Sequence, residues 1–323
     1  MSEILTIGEP MVMFLDDTAE VFAEARRLPR KMAGAELNVA LGARRLEHSV
    51  GYITQLGDDW QGNAIRDFMA EQGIDTSHIL TAEQASTGFQ VKVILADGES
   101  RVVYFREGSA ASKMSARSLF SLHLGDFKIL HITGIFPALS DGNYDLAQGL
   151  IEAAHQRGSL VTFDPNPRPT LWKSQEEMIA ATNRLAFVSD IVMPGHSEGV
   201  LFTGRSDPQD IASFYLDKGV SKVIIKLGES GSALFEHDEH GHISRTVMPS
   251  FIVKTVDVIG AGDGFASGIL TGLLEGFDNE RLLERANAIG ALQVTNLSDN
   301  EGLPTRQQLE AFIRDTPRKD ISL

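Results

Sequence analysis

From about residue 115 onward, short apolar runs alternate with stretches of helical spacing, and this rhythm restricts the chain more than any other feature. Strand patterns fall at 129–133, 160–163, 191–193 and 222–226, with helical patterns between them at about 143–156, 175–186 and 209–218. Strands separated by helices predict an α/β fold: a mostly parallel sheet with helices on both faces. The N-terminal part begins the same way, with a strand at 4–7 ending in Gly8-Glu9-Pro10, a helix over 35–46, a strand at 50–56 and a helix over 60–72.

Two segments break the rhythm. Residues 88–95 and 101–106 are β-rich around Asp97-Gly98, a hairpin signal. Together with the β-rich stretch near 10–30, the region 86–106 predicts a small second layer or lid. A second hairpin is expected at 232–236 and 242–248, followed by helices at about 261–275, 279–295 and 306–314. No internal repeat or low-complexity linker divides the chain, so its 323 residues are read as one domain carrying the lid segments.

The charge balance narrows the partners. Net charge is −15 and no basic cluster stands out, which argues against nucleic-acid binding. An acidic chain can still hold an anion, but only locally, with a few Arg and helix N-termini. Cysteine is absent, so disulfides and thiolate chemistry are excluded. No apolar run reaches the roughly 18 residues a membrane span needs, and a cytoplasmic protein without membrane partners is expected. His237-Asp238-Glu239-His240-Gly241-His242 contains metal-ligand types, but it falls in a polar turn between strands and reads as a solvated loop.

The segment richest in chemistry is Asp257-Val258-Ile259-Gly260-Ala261-Gly262-Asp263-Gly264. Glycines at a helix start let backbone N–H groups face a ligand, and the helix terminus adds partial positive charge. Gly260, Ala261 and Gly262 thus form a candidate anion cradle. Asp263 is placed to take a proton from a hydroxyl beside it, as phosphoryl transfer requires. A Walker-type phosphate loop and a dinucleotide-binding glycine pattern are both missing.

With Gly8-Glu9 after strand one, Gly34-Ala35-Glu36-Leu37-Asn38 at the first helix and the run from Asp257 to Asp263, the chain resembles the ribokinase-like (PfkB-type) carbohydrate kinases from end to end. The resemblance implies a ribokinase-like three-layer fold with a small β-sheet lid, use of ATP and Mg²⁺, and Asp263 as the base. In Tyr104-Phe105-Arg106-Glu107-Gly108-Ser109-Ala110 and in Phe163 to Trp172, the chain is most similar to 2-keto-3-deoxygluconate kinases. This implies that Arg106 and Arg168 lie at a sugar acid, with Arg106 on its carboxylate, and that Gly34, Asn38 and Tyr104 line its hydroxyls. Phe89 falls where these kinases set an aromatic over the sugar, although core packing competes for it.

For the nucleotide, the resemblance points to Lys226, Gly228 and Gly231, to the cradle glycines Gly260 and Gly262, and to Asn287. Glu198 matches a residue that organises Mg²⁺ through water, while Gly195 stands where the family often has Asn. Asp257 matches a residue that in relatives helps hold a monovalent cation such as K⁺, but the usual following hydroxyls are replaced by Val258-Ile259. Another hexose or ketose, 5-dehydro-2-deoxygluconate, a nucleoside, or a non-catalytic sugar-binding role are the competing readings. Pairing through the small β-layer into a homodimer, or a higher homo-oligomer, is expected.

Overall fold

The computed structural model describes residues 2–16, 28–94 and 100–320. Its centre is β1 (Ile4–Ile7), a four-residue strand, apolar except for Thr6, with no exposed side chain. It pairs in parallel with β4 (Val50–Gly57) on one side and β8 (Ile129–Thr133) on the other. Beyond β4 lies β5 (Ile79–Ala82), also parallel. Beyond β8 follow β9 (Leu160–Asp164), β10 (Ile191–Val192) and β11 (Lys222–Lys226), all parallel, then the antiparallel hairpin β12 (Ser232–His237) and β13 (Ile243–Met248). The result is a nine-stranded sheet that is parallel except at one edge.

Side chains along these strands feed two cores, one on each face. Ile4, Val50, Ile129 and Ile224 point to one, and Leu5, Ile53, Leu130, Val223 and Ile225 to the other. On the first face pack α1 (Ala35–Arg45), α2 (Trp60–Glu71), α7 (Ala261–Leu274), α8 (Asn279–Gln293) and α9 (Arg306–Asp315), through residues such as Leu37, Ile65, Phe265, Leu283 and Leu309. The second face is covered by α3 (Asp141–Gln156), α4 (Gln175–Phe187) and α6 (Pro208–Leu216), through Leu146, Leu185 and Ile211. This is the expected three-layer arrangement, because strands buried on both faces need helices on both.

Helix α7 lies deep in the first core, and its glycines have a packing reason. A methyl group on Gly268 would sit 2.7 Å from the Ala286 backbone of α8, and one on Gly272 would sit 2.6 Å from Leu282. The small residues of this helix therefore set the α7–α8 separation as well as opening its N-terminus.

The segments outside the α/β rhythm form a separate four-stranded sheet in the order β3-β2-β6-β7. It contains β2 (Met11–Asp16), β3 (Arg30–Ala33), β6 (Phe89–Ile94) and β7 (Ser100–Phe105). Residues 17–27 of the first lid stretch and the Asp97-Gly98 turn lie outside the described residues. The β6–β7 register pairs Gln90 with Tyr104 and Phe89 with Phe105. Alternation then directs Gln90, Lys92 and Tyr104 to one face and Phe89, Val91, Val103 and Phe105 to the other.

Two elements escape the sequence pattern. Strand β5 is short, and only Ile79 of its four residues is buried. Helix α5 (His196–Thr203) is eight residues long and opens on Gly195-His196-Ser197-Glu198, which reads locally as a polar turn. A capping bond starts it: Gly195 N–H donates to the Glu198 carboxylate at 2.6 Å.

Candidate active site

The parallel strands end along one edge of the sheet, and the chemistry-bearing residues collect there. The chain leaves β1 at Gly8-Glu9, β9 ends on Asp164, β11 ends on Lys226, and α5 after β10 carries Glu198. Strand order reverses at β1, since its successor β4 lies on one side and the later strands on the other. Open α/β sheets bind ligands at such a switch point. Both α1, from Gly34, and α7, from Gly260, begin at this edge.

Two cavities meet here. One, about 380 Å³, is polar and lies under the small sheet. It is lined by Gly34, Asn38, Tyr104, Arg106, Arg168, Glu198 and Asp263, among others. The other, about 300 Å³, is more apolar and lies between the turn after β11, the segment after β13 and helices α7 and α8, with Phe251, Val253, Phe265 and Ala291 in its wall. Lys226, Val258 and Gly262 border both. The start of α7 is therefore a shared wall.

Asp263 is the third residue of α7 and is buried. Asn38 Nδ2 donates to its Oδ2 at 2.8 Å. Asn38 is itself held by Asn300, whose Nδ2 donates to Asn38 Oδ1 at 3.1 Å and to the Met32 carbonyl at 2.9 Å. Burial pushes the Asp263 carboxyl up to about 7; the Asn38 bond pulls against this, while Asp164 and Glu36 add to it. A carboxyl in that range can accept and release a proton near neutrality. Gly260 precedes α7 in the left-handed region at φ 80, and a Cβ there would lie 2.2 Å from the Asp299 carbonyl oxygen. Only glycine fits this corner.

Around Asp263 the polar cavity is a lattice of paired charges. Lys226 Nζ donates to Asp164 Oδ2 at 2.7 Å. Burial opposes the Lys226 charge, but Asp164 and Glu198 outweigh it and raise its pKa. Glu198 is pushed up by burial, with Lys226 pulling it back. Arg106 Nε donates to Glu9 Oε2 at 2.6 Å, and its Nη2 bridges the same carboxylate. Ser109 Oγ donates to the other Glu9 oxygen. Arg106 also lies over the Tyr104 ring, 5.5 Å from its centroid. Arg168 differs: its Nη1 donates to Asn166 Oδ1 at 2.6 Å and to nearby carbonyls, and among the described residues no carboxylate lies within ion-pair reach of it.

Most of the sequence-derived residues converge. Gly34, Asn38, Tyr104, Arg106, Arg168, Glu198, Lys226, Gly260, Gly262 and Asp263 all line the polar cavity. Gly228, Gly231, Ala261 and Asn287 line the apolar one. Asn287 acts there as a strut, its Nδ2 donating to the Met248 carbonyl at 2.9 Å.

Three expectations need correction. Phe89 does not reach the cavity; alternation turns it to the far face of the small sheet, stacked on Phe105 at 4.6 Å. Arg106 is not a free guanidinium awaiting a carboxylate, because Glu9 already occupies its Nε–Nη2 edge. Asp257, expected to help hold a monovalent cation, meets Lys92 Nζ at 2.7 Å instead. The His237–His242 turn is exposed to solvent along its length. Glu9, Lys92, Asp164 and Asp299 were missed as site residues; Lys92 had one signal, its position two residues from Gln90 on the same strand face.

The pockets suit a nucleotide with its metal. The apolar slot accommodates a flat base, and the cradle with Lys226 lies where phosphates would pass between the cavities. Asp164 Oδ1 is buried without a partner, and with Glu198 on the same cavity it fits a hydrated divalent ion, which keeps several waters.

The pattern of the pfkB family carbohydrate kinases matches residues 1–306. A 2-dehydro-3-deoxygluconokinase of Bacillus subtilis is 36% identical over 312 residues, covering 96% of this chain and 95% of its own. A 5-dehydro-2-deoxygluconokinase of Clostridium perfringens is 29% identical over 318 residues, covering 97% and 93%. An E. coli protein described as a candidate ribokinase II, solved in complex with ATP and Mg²⁺, superposes with a TM-score of 0.87 at 27% identity, covering 97% of this chain and 99% of its own. No helix among the described residues is long and apolar enough to cross a membrane.

Proposed function

The chain belongs to the pfkB family of carbohydrate kinases, and from that premise we propose that it transfers the γ-phosphoryl group of ATP to the 6-hydroxyl of 2-dehydro-3-deoxygluconate, also called 2-keto-3-deoxygluconate. The observation that carries the choice of a sugar acid is Arg168, a guanidinium in the same cavity as Asp263 that makes no contact ion pair with a carboxylate among the described residues; Glu36 and Glu198 feel its charge only from a distance. Its N–H groups are open to a bidentate pair with a substrate carboxylate. Arg106, braced by Glu9 and stacked on Tyr104, presents its remaining N–H groups to the sugar and orients it.

The reaction follows from the two cavities. The base of ATP lies in the apolar slot against Phe251 and Val253, and the phosphates run past Gly228 and Lys226 to the start of α7. Glu198 and Asp164 would hold a hydrated Mg²⁺, which would supply positive charge against the phosphate oxygens. The sugar occupies the polar cavity with its hydroxyl against Asp263. Asp263 takes the hydroxyl proton as the oxygen attacks the γ-phosphorus, the bond from that phosphorus to the β–γ bridging oxygen breaks, and ADP leaves. Backbone N–H groups of the Gly260-Ala261-Gly262 turn and the Lys226 ammonium face the charge that develops on the transferring group.

The test is a comparison of kcat/KM for 2-keto-3-deoxygluconate, 5-dehydro-2-deoxygluconate and fructose. The first is expected to lead. Preference for 5-dehydro-2-deoxygluconate would favour the second reading, which the clostridial relative supports; preference for fructose would remove the acid altogether. Arg168→Ala should raise KM for the acid by roughly ten- to a hundredfold, from loss of a charge-assisted bidentate pair, and change KM for a neutral sugar much less. Equal losses on both would deny Arg168 the carboxylate.

The outer face of the small sheet supports a homodimer. Val103 is 54% exposed, Phe105 50% and nearby Trp60 55%, an apolar strip that association would cover. Sedimentation should report twice the 35.2 kDa chain mass, and Phe105→Lys should return the monomer. A monomeric wild type would reject the pairing.

A further inference from the structure

Lys92 is the only charged residue of β6, yet its side chain is fully buried. Its Nζ lies 2.7 Å from Asp257 Oδ2, 3.0 Å from Asp299 Oδ1 and 3.1 Å from the Leu297 carbonyl oxygen. Those oxygens come from two loops: the one that enters α7 and the one that follows α8. The same loops touch at the cradle. The Gly260 backbone packs against the Asp299 carbonyl so closely that no Cβ fits between them, and Asp257 Oδ1 accepts from Ile259 N–H at 3.1 Å. A third segment, the small sheet, thus reaches across and pins the anion cradle from behind.

Two carboxylates and a carbonyl, all oxygen, form the donor set a hard cation asks for. Without a positive charge between them, Asp257 and Asp299 would repel each other in a buried site, and the loop carrying Gly260 would be pushed away from the one it packs against. The residues present do not fit a bound monovalent ion as well, because the ammonium already occupies the space between the oxygens. We propose that Lys92 is a built-in monovalent cation: a positioning residue that holds the anion cradle in its working shape, so that the enzyme needs no potassium. The inference rests on the phosphoryl-transfer reading of the cradle but not on the identity of the sugar.

The test compares wild type and Lys92→Ala at equal ionic strength in potassium, ammonium and tetramethylammonium chloride, by rate and by thermal melting. Wild-type kcat and melting temperature are expected to be the same in all three salts. In tetramethylammonium, the variant should lose roughly a hundredfold in kcat, the scale of a disordered oxyanion site. Potassium or ammonium should return about a tenfold part of that loss, and should raise the variant's melting temperature but not the wild type's. A purely structural lysine would leave a variant equally slow and equally unstable in every salt, which would overturn the proposal. Wild-type activity that depends on potassium would overturn it too, and decides the matter even if Lys92→Ala fails to fold. The melting arm uses no acceptor. A salt-specific melting shift in a variant whose wild type phosphorylates none of the tested sugars would therefore reject the substrate and leave the cation role standing.

Discussion

Asp263→Asn lowers kcat by about 10²–10⁴-fold, the range for loss of a general base, while ATP affinity is largely kept. The replacement has the same shape and leaves an oxygen to accept from Asn38, so positioning survives and only the basicity is removed. The pH dependence makes the expectation sharper. The base works as the carboxylate, and burial raises its pKa to about 7. Wild-type kcat/KM should therefore rise with pH and level off above about 7, and the residual activity of the variant should lack that rise. Stability runs the other way. The folded pKa lies above the ordinary aspartate value of 3.8, so protonation favours the folded state. That contribution is complete below pH 3.8 and is lost as pH rises through about 7. Above pH 7 the wild type holds an ionised buried carboxylate that the Asn variant lacks, and the variant should melt higher there. A variant with near wild-type kcat, or a flat wild-type profile across neutrality, would remove Asp263 from the role of base.

Gly260→Ala should be nearly as damaging to turnover, with a loss of about 10²–10³-fold, the cost of losing oxyanion-type donors. The reason is geometric. The residue sits at φ 80, and an added methyl would lie 2.2 Å from the Asp299 carbonyl oxygen. The turn can relieve this only by moving, and the N–H groups aimed at the phosphoryl group move with it. Gly276→Ala is the matching control. Gly276 also has a positive φ, 70, but faces open space at the far end of α7. It should show the backbone strain of a left-handed alanine, on the order of 1–2 kcal/mol, as a lower melting temperature with kcat unchanged. If both variants lose stability and neither loses turnover, the cradle is not where the phosphoryl charge is met.

How much of this could be read beforehand follows from the range of the forces involved. The parallel strands and the long helices were legible because their periodicity is local: β8 is buried at every position, and α3 repeats its apolar face over 16 residues. Helix α5 was not, because eight residues give too few turns for a pattern. In the site, residues could be named but their pairings could not. Asn38 and Asp263 bond across 225 positions, and Arg106 meets Glu9 across 97. A carboxylate that neutralises an arginine leaves no mark near it in the chain, so Arg106 read as free. Lys92 and Asp299 are 207 positions apart, and neither carries a local signal: one looks like a solvated strand residue and the other like part of a polar loop. Only the packing of the small sheet onto the α7 entrance turns them into a buried charge pair. Phe89 shows the converse. A one-residue step along a strand moves a side chain to the opposite face, so a position that looks right in the sequence can face the wrong way.

The most direct measurement of the central claim is the product. Purified protein incubated with 2-keto-3-deoxygluconate, ATP and Mg²⁺ should release ADP and form one new phosphate ester in equal amounts, with phosphorus–proton coupling in the NMR spectrum assigning the phosphate to the 6-position. Phosphorylation at another carbon, or an unchanged sugar acid in a sample that phosphorylates a neutral hexose, would contradict the account.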